Sequence, residues 1–380
     1  MLSSIYIGLS GLSAYSQGLQ RISGNVANLN AQGFKGSNVS FQSVMGQSGF
    51  GDGVTNADDQ TNFAQGELRQ TSRDLDLAID GTGFLVLQRG DETVYTRTGS
   101  FEVDNDGFVV LSGTDYRLAI LDANGAAKAV SIDGARTSQP KATTRITLSD
   151  NLSSSATTFS VTDVKVYDAG GTLHTWQLTF DKDQTAASGT WNITVKDETG
   201  ATVATKPITF TNGVIAAQSA QISIADATHN LTVNLDLNGV TSFSSGSVST
   251  LRAASVDGYT TGTLTTVTVN TDGQLELGYS NSQKNQLGSI AIAQFRNPEG
   301  LKQRSGGLFS SARDEQRSIV KSGDPRAGKI QSRRLEASNV DLTTEFSDLI
   351  LVQRGFQASS QIISVSNEMI QQLFGIRGQG

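Results

Sequence analysis

Cysteine is absent from the 380 residues. Disulfides, thiolate metal ligands and cysteine nucleophiles are therefore excluded. Histidine is nearly absent, with two residues, His174 and His229. Each stands alone among polar and aliphatic residues, with no H-x-x-H spacing, so a zinc site would need carboxylates that nothing in the sequence recommends. Proline is scarce (4) and aromatics are few (7%), while glycine is abundant (40). Little proline with many glycine turns suggests a loop-rich β-protein with modest cores. No basic run stands out and the net charge is −7, which argues against nucleic acid as a partner. No apolar run reaches the ~18 residues of a membrane span, so no membrane insertion is expected. No charged residue precedes Arg21, and Gly8, Ser10, Gly11 and Ser13 interrupt any apolar block, so the N-terminus does not read as a cleaved signal peptide.

What the chain does have is a pair of periodic ends. Leu2, Ile5, Leu9, Leu12, Tyr15, Leu19, Ile22, Val26 and Leu29 recur at steps of three and four. Leu349, Val352, Phe356, Ser359, Ile363, Ser366, Ile370 and Leu373 do the same at the other end. This a/d spacing predicts two helices with narrow coiled-coil seams. Such a helix needs a partner, either the other end or the ends of neighbouring subunits. Small neutral residues surround the first seam, which suits a crowded assembly more than bulk water.

Between the ends the chain reads as β-structure. Residues 1–31 with 340–380 form the expected terminal helical domain, and 32–65 an extended linker with aromatic anchors Phe41, Phe50 and Phe63. Residues 66–142 with 284–339 read as an inner β-domain and 143–283 as an inserted outer one. Phe84–Leu87 and Phe108–Leu111 are strand-like, the latter following the Asp104-Asn105-Asp106-Gly107 turn. Thr- and Val-rich strands with close turn signals from 143 onward predict a barrel or sandwich. The fold class is mainly β with α-helical termini: nested β-domains and a terminal coiled-coil helix pair.

Catalytic templates fit poorly. Gly81-Thr82-Gly83 lacks the third glycine of a dinucleotide loop and precedes a strand. Asp104–Gly107 has its glycine at the wrong position for a calcium loop. No G-x-S-x-G elbow is present. Alternation puts Asp74, Asp76 and Asp80 on one strand face, which reads as solvated. No catalytic, cofactor or metal residue is assigned, and a non-enzyme is expected.

The segment Ser23–Lys35 resembles the axial proteins of the bacterial flagellum in its Asn25-Val26-Ala27-Asn28 and Gly33-Phe34-Lys35 elements. Ala31 stands where that family often has threonine. Gly66-Glu67-Leu68, Asp76–Phe84 and Tyr95–Phe101 are similar to the family's first globular domain. Leu335–Leu342, with Asn339 and Asp341, and Gln353-Arg354-Gly355-Phe356 are similar to its C-terminal signature. Asp257–Leu264 and Phe295–Leu301 place the resemblance with the hook branch; rod proteins are the alternative, and a β-rich secreted enzyme a more remote one. The resemblance implies a homopolymer: a curved tube passing torque from rod to filament. It implies rod, hook-cap and hook–filament junction proteins as partners, with the export apparatus. It also implies a place in the flagellar hook outside the cell, reached by type III export without a cleaved signal peptide.

Overall fold

The computed structural model describes residues 2–45, 51–56, 60–185, 189–311 and 317–377. Phe50 and the side chains of Leu2 and Leu373 lie outside the described residues. The protein is mainly β, with helix α1 at Leu2–Ala27 and helix α2 at Leu342–Arg377. Asp341 starts α2. Its Oδ1 accepts the backbone N–H groups of Thr344 at 3.0 Å and Thr343 at 2.7 Å, capping donors that a helix start leaves free. Those bonds hold the Asp341 carboxyl below the usual carboxylate range.

The chain divides into two compact units. The first comprises Met1–Asp133, Val267–Leu277 and Asn285–Gly380. Its main sheet interleaves distant stretches of sequence. Strand Phe84–Arg89 pairs with Glu92–Thr96 in a hairpin, with Arg117–Leu121, and with Ile292–Phe295. Strand Asp76–Asp80 pairs with Thr98–Val103 on one side and Lys329–Ser332 on the other. The core is aromatic. Phe84 meets Phe295 and Phe309 at centroid distances of 5.7 and 5.6 Å, both edge-on, the geometry that ring quadrupoles favour.

Two local expectations change. The stretch read as an extended linker holds an antiparallel hairpin, Phe41–Met45 with Gly51–Asn56. Its glycine content hid the alternation that lets one face pack on α1. Phe41 meets Tyr15 at 4.9 Å, and the Val54 N–H donates to Ser10 Oγ. Phe63 packs against Phe84 and Phe309. The acidic face is also not uniformly solvated. Asp80 is exposed, but Asp76 is only 2% exposed, 3.8 Å from Arg73.

The second unit comprises Gly134–Thr266 and Gly278–Lys284. It is built on one nine-stranded sheet whose strands alternate buried and exposed residues, as in Leu173–Lys182 and Thr190–Lys196. The inward set includes Trp176, Leu178, Phe180, Trp191, Ile193 and Val195, all buried. The Thr143 N–H donates to the Tyr167 carbonyl and the Tyr167 N–H to Thr143 Oγ1, so the lead-in to strand Arg145–Asn151 closes on the end of strand Thr158–Tyr167. Gly258 is required here, because a Cβ would lie 2.2 Å from Thr143 Oγ1.

Asp257 fastens this corner. Its carboxylate accepts from the Thr144 and Arg145 N–H groups, each at 2.8 Å, from the Thr144 hydroxyl at 2.6 Å and from Lys141 Nζ at 3.2 Å. Partial burial alone would raise its pKa; these donors outweigh burial and lower it from 3.8 to about 2. A carboxylate with a depressed folded pKa stabilises the fold above its unfolded value, and the contribution is lost as pH falls through the folded value. Thermal unfolding of the Asp257→Asn variant is expected to show a lower Tm at pH 7. Between pH 3.8 and about 2 its Tm should fall less steeply than that of the parent. Parallel Tm-against-pH curves for the two proteins would refute this.

Candidate assembly surface and its buried anchor

The two helices run antiparallel, as the pairings of Gly8 with Ile363, Gly18 with Val352 and Asn25 with Glu345 show. On α2 the contact follows the predicted seam, but on α1 it does not follow the leucine stripe. On α1 the buried positions are Gly8, Gly11, Ala14, Gly18, Ile22 and Asn25. On α2 they are Val352, Ser359 and Ser366. The approach is close. A Cβ on Gly11 would lie 2.5 Å from Ser359 Oγ, and one on Gly355 would lie 2.5 Å from the Tyr15 ring. Small residues win this face because they let the two backbones approach.

The predicted seam residues therefore divide. Ile22, Val352, Ser359 and Ser366 are buried. Ile5, Leu12, Leu19, Val26, Leu29, Leu349, Ile363 and Ile370 are half-buried. Leu9 (59%) and Phe356 (36%) are exposed. They join Tyr6, Phe346, Ile350, Leu351, Ile362 and Met369 in an unusual excess of uncovered large apolar side chains on two helices. Uncovered apolar side chains on both helices make the pair a candidate interaction surface.

The signature residues serve mainly to fix how the helices leave the β-structure. Asn25 Nδ2 donates to the Ser37 carbonyl and to Glu345 Oε1, both at 2.9 Å, while its Oδ1 accepts the Ser37 N–H. Burial raises the Glu345 pKa, against the Asn25 hydrogen bond. Asn28 donates to the Gly24 carbonyl at the end of α1. Gly33 sits at φ +66°, and its N–H donates to the Glu336 carbonyl. Phe34 is half-buried, and its carbonyl accepts the Asn339 N–H. Asn339 Oδ1 accepts the Gly36 N–H, and its Nδ2 donates to the Asn62 and Ala64 carbonyls. Gln353 and Arg354 are exposed on α2, away from this network.

At its centre lies a fully buried ion cluster. Lys35 Nζ donates to Glu336 Oε1 at 2.5 Å and to the Ala64 carbonyl at 2.7 Å. Arg97 Nε donates to Glu336 Oε2 at 3.3 Å, and its remaining nitrogens reach the carbonyls of Gly83, Gly81 and Ile79. The Gly66 N–H donates to Glu336 Oε1, and the Glu336 N–H to Thr98 Oγ1. One carboxylate thus joins the segment after α1, the β-domain and the strand before α2. Burial pushes the Lys35 ammonium pKa down, Glu336 opposes this and Arg97 adds to it; burial likewise lowers the Arg97 pKa against Glu336. Arg97 and Glu336 escaped the sequence assignment. Both lie inside stretches that carry the family resemblance, Tyr95–Phe101 and Leu335–Leu342, but nothing in the spacing singled them out as partners.

Removing the carboxylate would leave two cations buried without a counter-charge. Glu336→Gln is expected to destabilise the first unit by about 3–5 kcal/mol. Denaturant unfolding would check this, and a loss under about 1 kcal/mol would show that the cluster is not structural.

Comparisons with known proteins place the chain in a family. Residues 78–163 match the family model "Flagellar hook protein FlgE/F/G D1 domain". Residues 131–259 match "Flagellar basal body protein FlaE D2 domain" and 331–376 match "Flagellar basal body rod FlgEFG protein C-terminal". The flagellar hook protein FlgE of Salmonella typhimurium is 30% identical over 400 residues, covering 97% of this chain and 98% of the relative. That of Borreliella burgdorferi is 27% identical over 451 residues, covering 99% and 100%. The crystal structure of Helicobacter pylori flagellar hook protein FlgE2 is similar in fold, with a TM-score of 0.50 at 14% identity, over 71% of this chain and 99% of that one. With close to the whole of both chains aligned at 30% identity, and with family models matched in its β-domains and C-terminal helix, this chain belongs to the flagellar hook protein family.

Proposed function

We propose that the protein is the structural subunit of a flagellar hook, polymerising through the apolar faces that α1 and α2 leave uncovered. The observation that carries this reading is the helix pair itself. Its mutual contact uses glycine, alanine and serine, while Leu9, Phe346, Ile350, Leu351 and Phe356 stay exposed. Copies of the same chain would cover these faces. A single subunit repeating a heterologous contact that does not close generates a helical tube. Coiled-coil packing of α1 and α2 belongs to that assembled state.

In this role the protein passes torque from rod to filament while the tube bends. Its partners are its own copies, the rod, cap and hook–filament junction proteins, and the export apparatus that delivers it outside the cell. The role is mechanical and assigns no reaction to the chain. The inserted β-domain of this reading, residues 143–283, lies mostly in the second unit, with Val267–Leu277 grouped with the first, and the signature residues around Glu336 set the direction in which the helices leave the β-structure.

Leu351 is 67% exposed, so Leu351→Asp should leave the isolated chain folded, within about 0.5 kcal/mol of the parent. In the polymer the same charge would be buried against a neighbour, at a cost of several kcal/mol if unpaired. Electron microscopy should then show no hooks, and cells carrying the variant should not swim. Hooks of normal length and curvature would place Leu351 outside the subunit contacts.

A further inference from the structure

The two histidines that look isolated in the sequence meet in the second unit. Their rings lie 3.9 Å apart between centroids. His174 is the second residue of strand Leu173–Lys182. His229 lies in the turn between strands Gln221–Asp226 and Leu231–Thr241. Glu198 lies in a third turn, between Thr190–Lys196 and Thr202–Thr211. Each of three neighbouring turns is closed by an aspartate that accepts backbone N–H groups: Asp168 from Thr172, Asp197 from Thr199 and Ala201, and Asp226 from Thr228 and His229. Those bonds fix the backbone that presents the histidines and Glu198.

Glu198 Oε1 is 3.2 Å from His174 Nδ1 and 4.0 Å from His229 Nε2. One ligand atom from each of the three residues lies within 4.8 Å of the others. Ligand atoms about 2.0–2.1 Å from a tetrahedral zinc ion are about 3.3 Å apart, so the three groups need to draw in from their 4.8 Å spread, by small turns of the imidazoles as well as of the exposed Glu198 side chain, to meet at one ion. On His229 the nitrogen facing away from Glu198 is held as a metal-bound imidazole requires. His229 Nδ1 is 2.8 Å from Asp226 Oδ2, which makes Nδ1 the donor and frees Nε2. His174 is 9% exposed. Among the described residues its Nε2 has no hydrogen-bond partner, and Asp168 Oδ2 stands 3.6 Å away, ready to accept once that nitrogen carries the proton.

We propose that His174, His229 and Glu198 form a binding site for a divalent transition-metal ion, with zinc as the best fit, that ties the three turns together. Two imidazoles and one carboxylate suit zinc and its late first-row neighbours over magnesium or calcium, which prefer all-oxygen cages. Three protein ligands leave a fourth position for water. Glu198 is the accessible side, so an ion can enter from solvent. The bound ion would cross-link turns that otherwise meet through ring contact and hydrogen bonds, stiffening this end of the unit.

The test uses the full chain, untagged and unassembled, titrated with zinc sulfate by calorimetry and followed by thermal unfolding. One saturable equivalent and a zinc-dependent rise in Tm are expected, with no rise from magnesium or calcium. Cobalt(II) should give the visible absorption of a tetrahedral site. His229→Gln and Glu198→Gln should each abolish the cobalt spectrum, and Asp226→Asn should weaken binding about 10–100-fold. Glu198 is exposed, so Glu198→Gln should fold like the parent by circular dichroism even if a histidine variant does not. Absence of saturable zinc binding, or parental affinity in Glu198→Gln and His229→Gln, would overturn the proposal and leave the cluster as a hydrogen-bonded brace.

Discussion

The carboxylate of Glu336 is where the terminal helices are fastened to the β-structure. It is fully buried, it accepts from Lys35 and Arg97, and its own backbone bonds to Gly33 and Thr98. Buried charge is tolerated only where partners satisfy it. Here two cations share one anion, and the positive excess is spread over backbone carbonyls at Ala64, Gly81, Gly83 and Ile79. The geometry has to be right for all of these groups at once. That makes the junction specific: a shifted strand would expose a charge with no partner. A hydrophobic plug could hold the same parts together but would fix their register less strictly.

From this junction the helices depart as a pair whose contact is made of small residues. Glycines 8, 11 and 18 on α1 and Gly355 on α2 bring the backbones close. Glycine inside a helix is unfavourable by roughly 0.5–1 kcal/mol relative to alanine, so each position weakens the isolated helix. The offsetting gain is close packing, first between α1 and α2. Because that contact uses the small face, large apolar side chains stay uncovered on the two helices. Under the proposed function these are the faces that other copies would cover.

The second unit is organised differently. It has a full core around Trp176 and Trp191 and an alternating sheet, so it does not depend on neighbours for its burial. Its polar devices are local: the Asp257 clasp at one corner, and the aspartate-closed turns that present His174, His229 and Glu198. A bound ion there would add stiffness without altering the core.

Periodicity and turn chemistry alone determined the fold class, both helices, most strands and the apolar character of the ends. These signals are local, because side-chain spacing follows directly from helix and strand geometry. The resemblance in the signature residues also identified Asn25, Gly33, Lys35, Asn339 and Asp341 before their bonds were visible. Tertiary structure decided what is non-local. It turned the glycine stripe rather than the leucine stripe toward α2, because backbone approach depends on the facing helix. It buried Asp76 among strands that are distant in sequence. It gathered Lys35, Arg97 and Glu336 across some 300 residues, and stacked His174 on His229 across 55. A charge or an imidazole acquires its chemistry from what faces it, and one-dimensional spacing carries no record of which turns a sheet brings side by side.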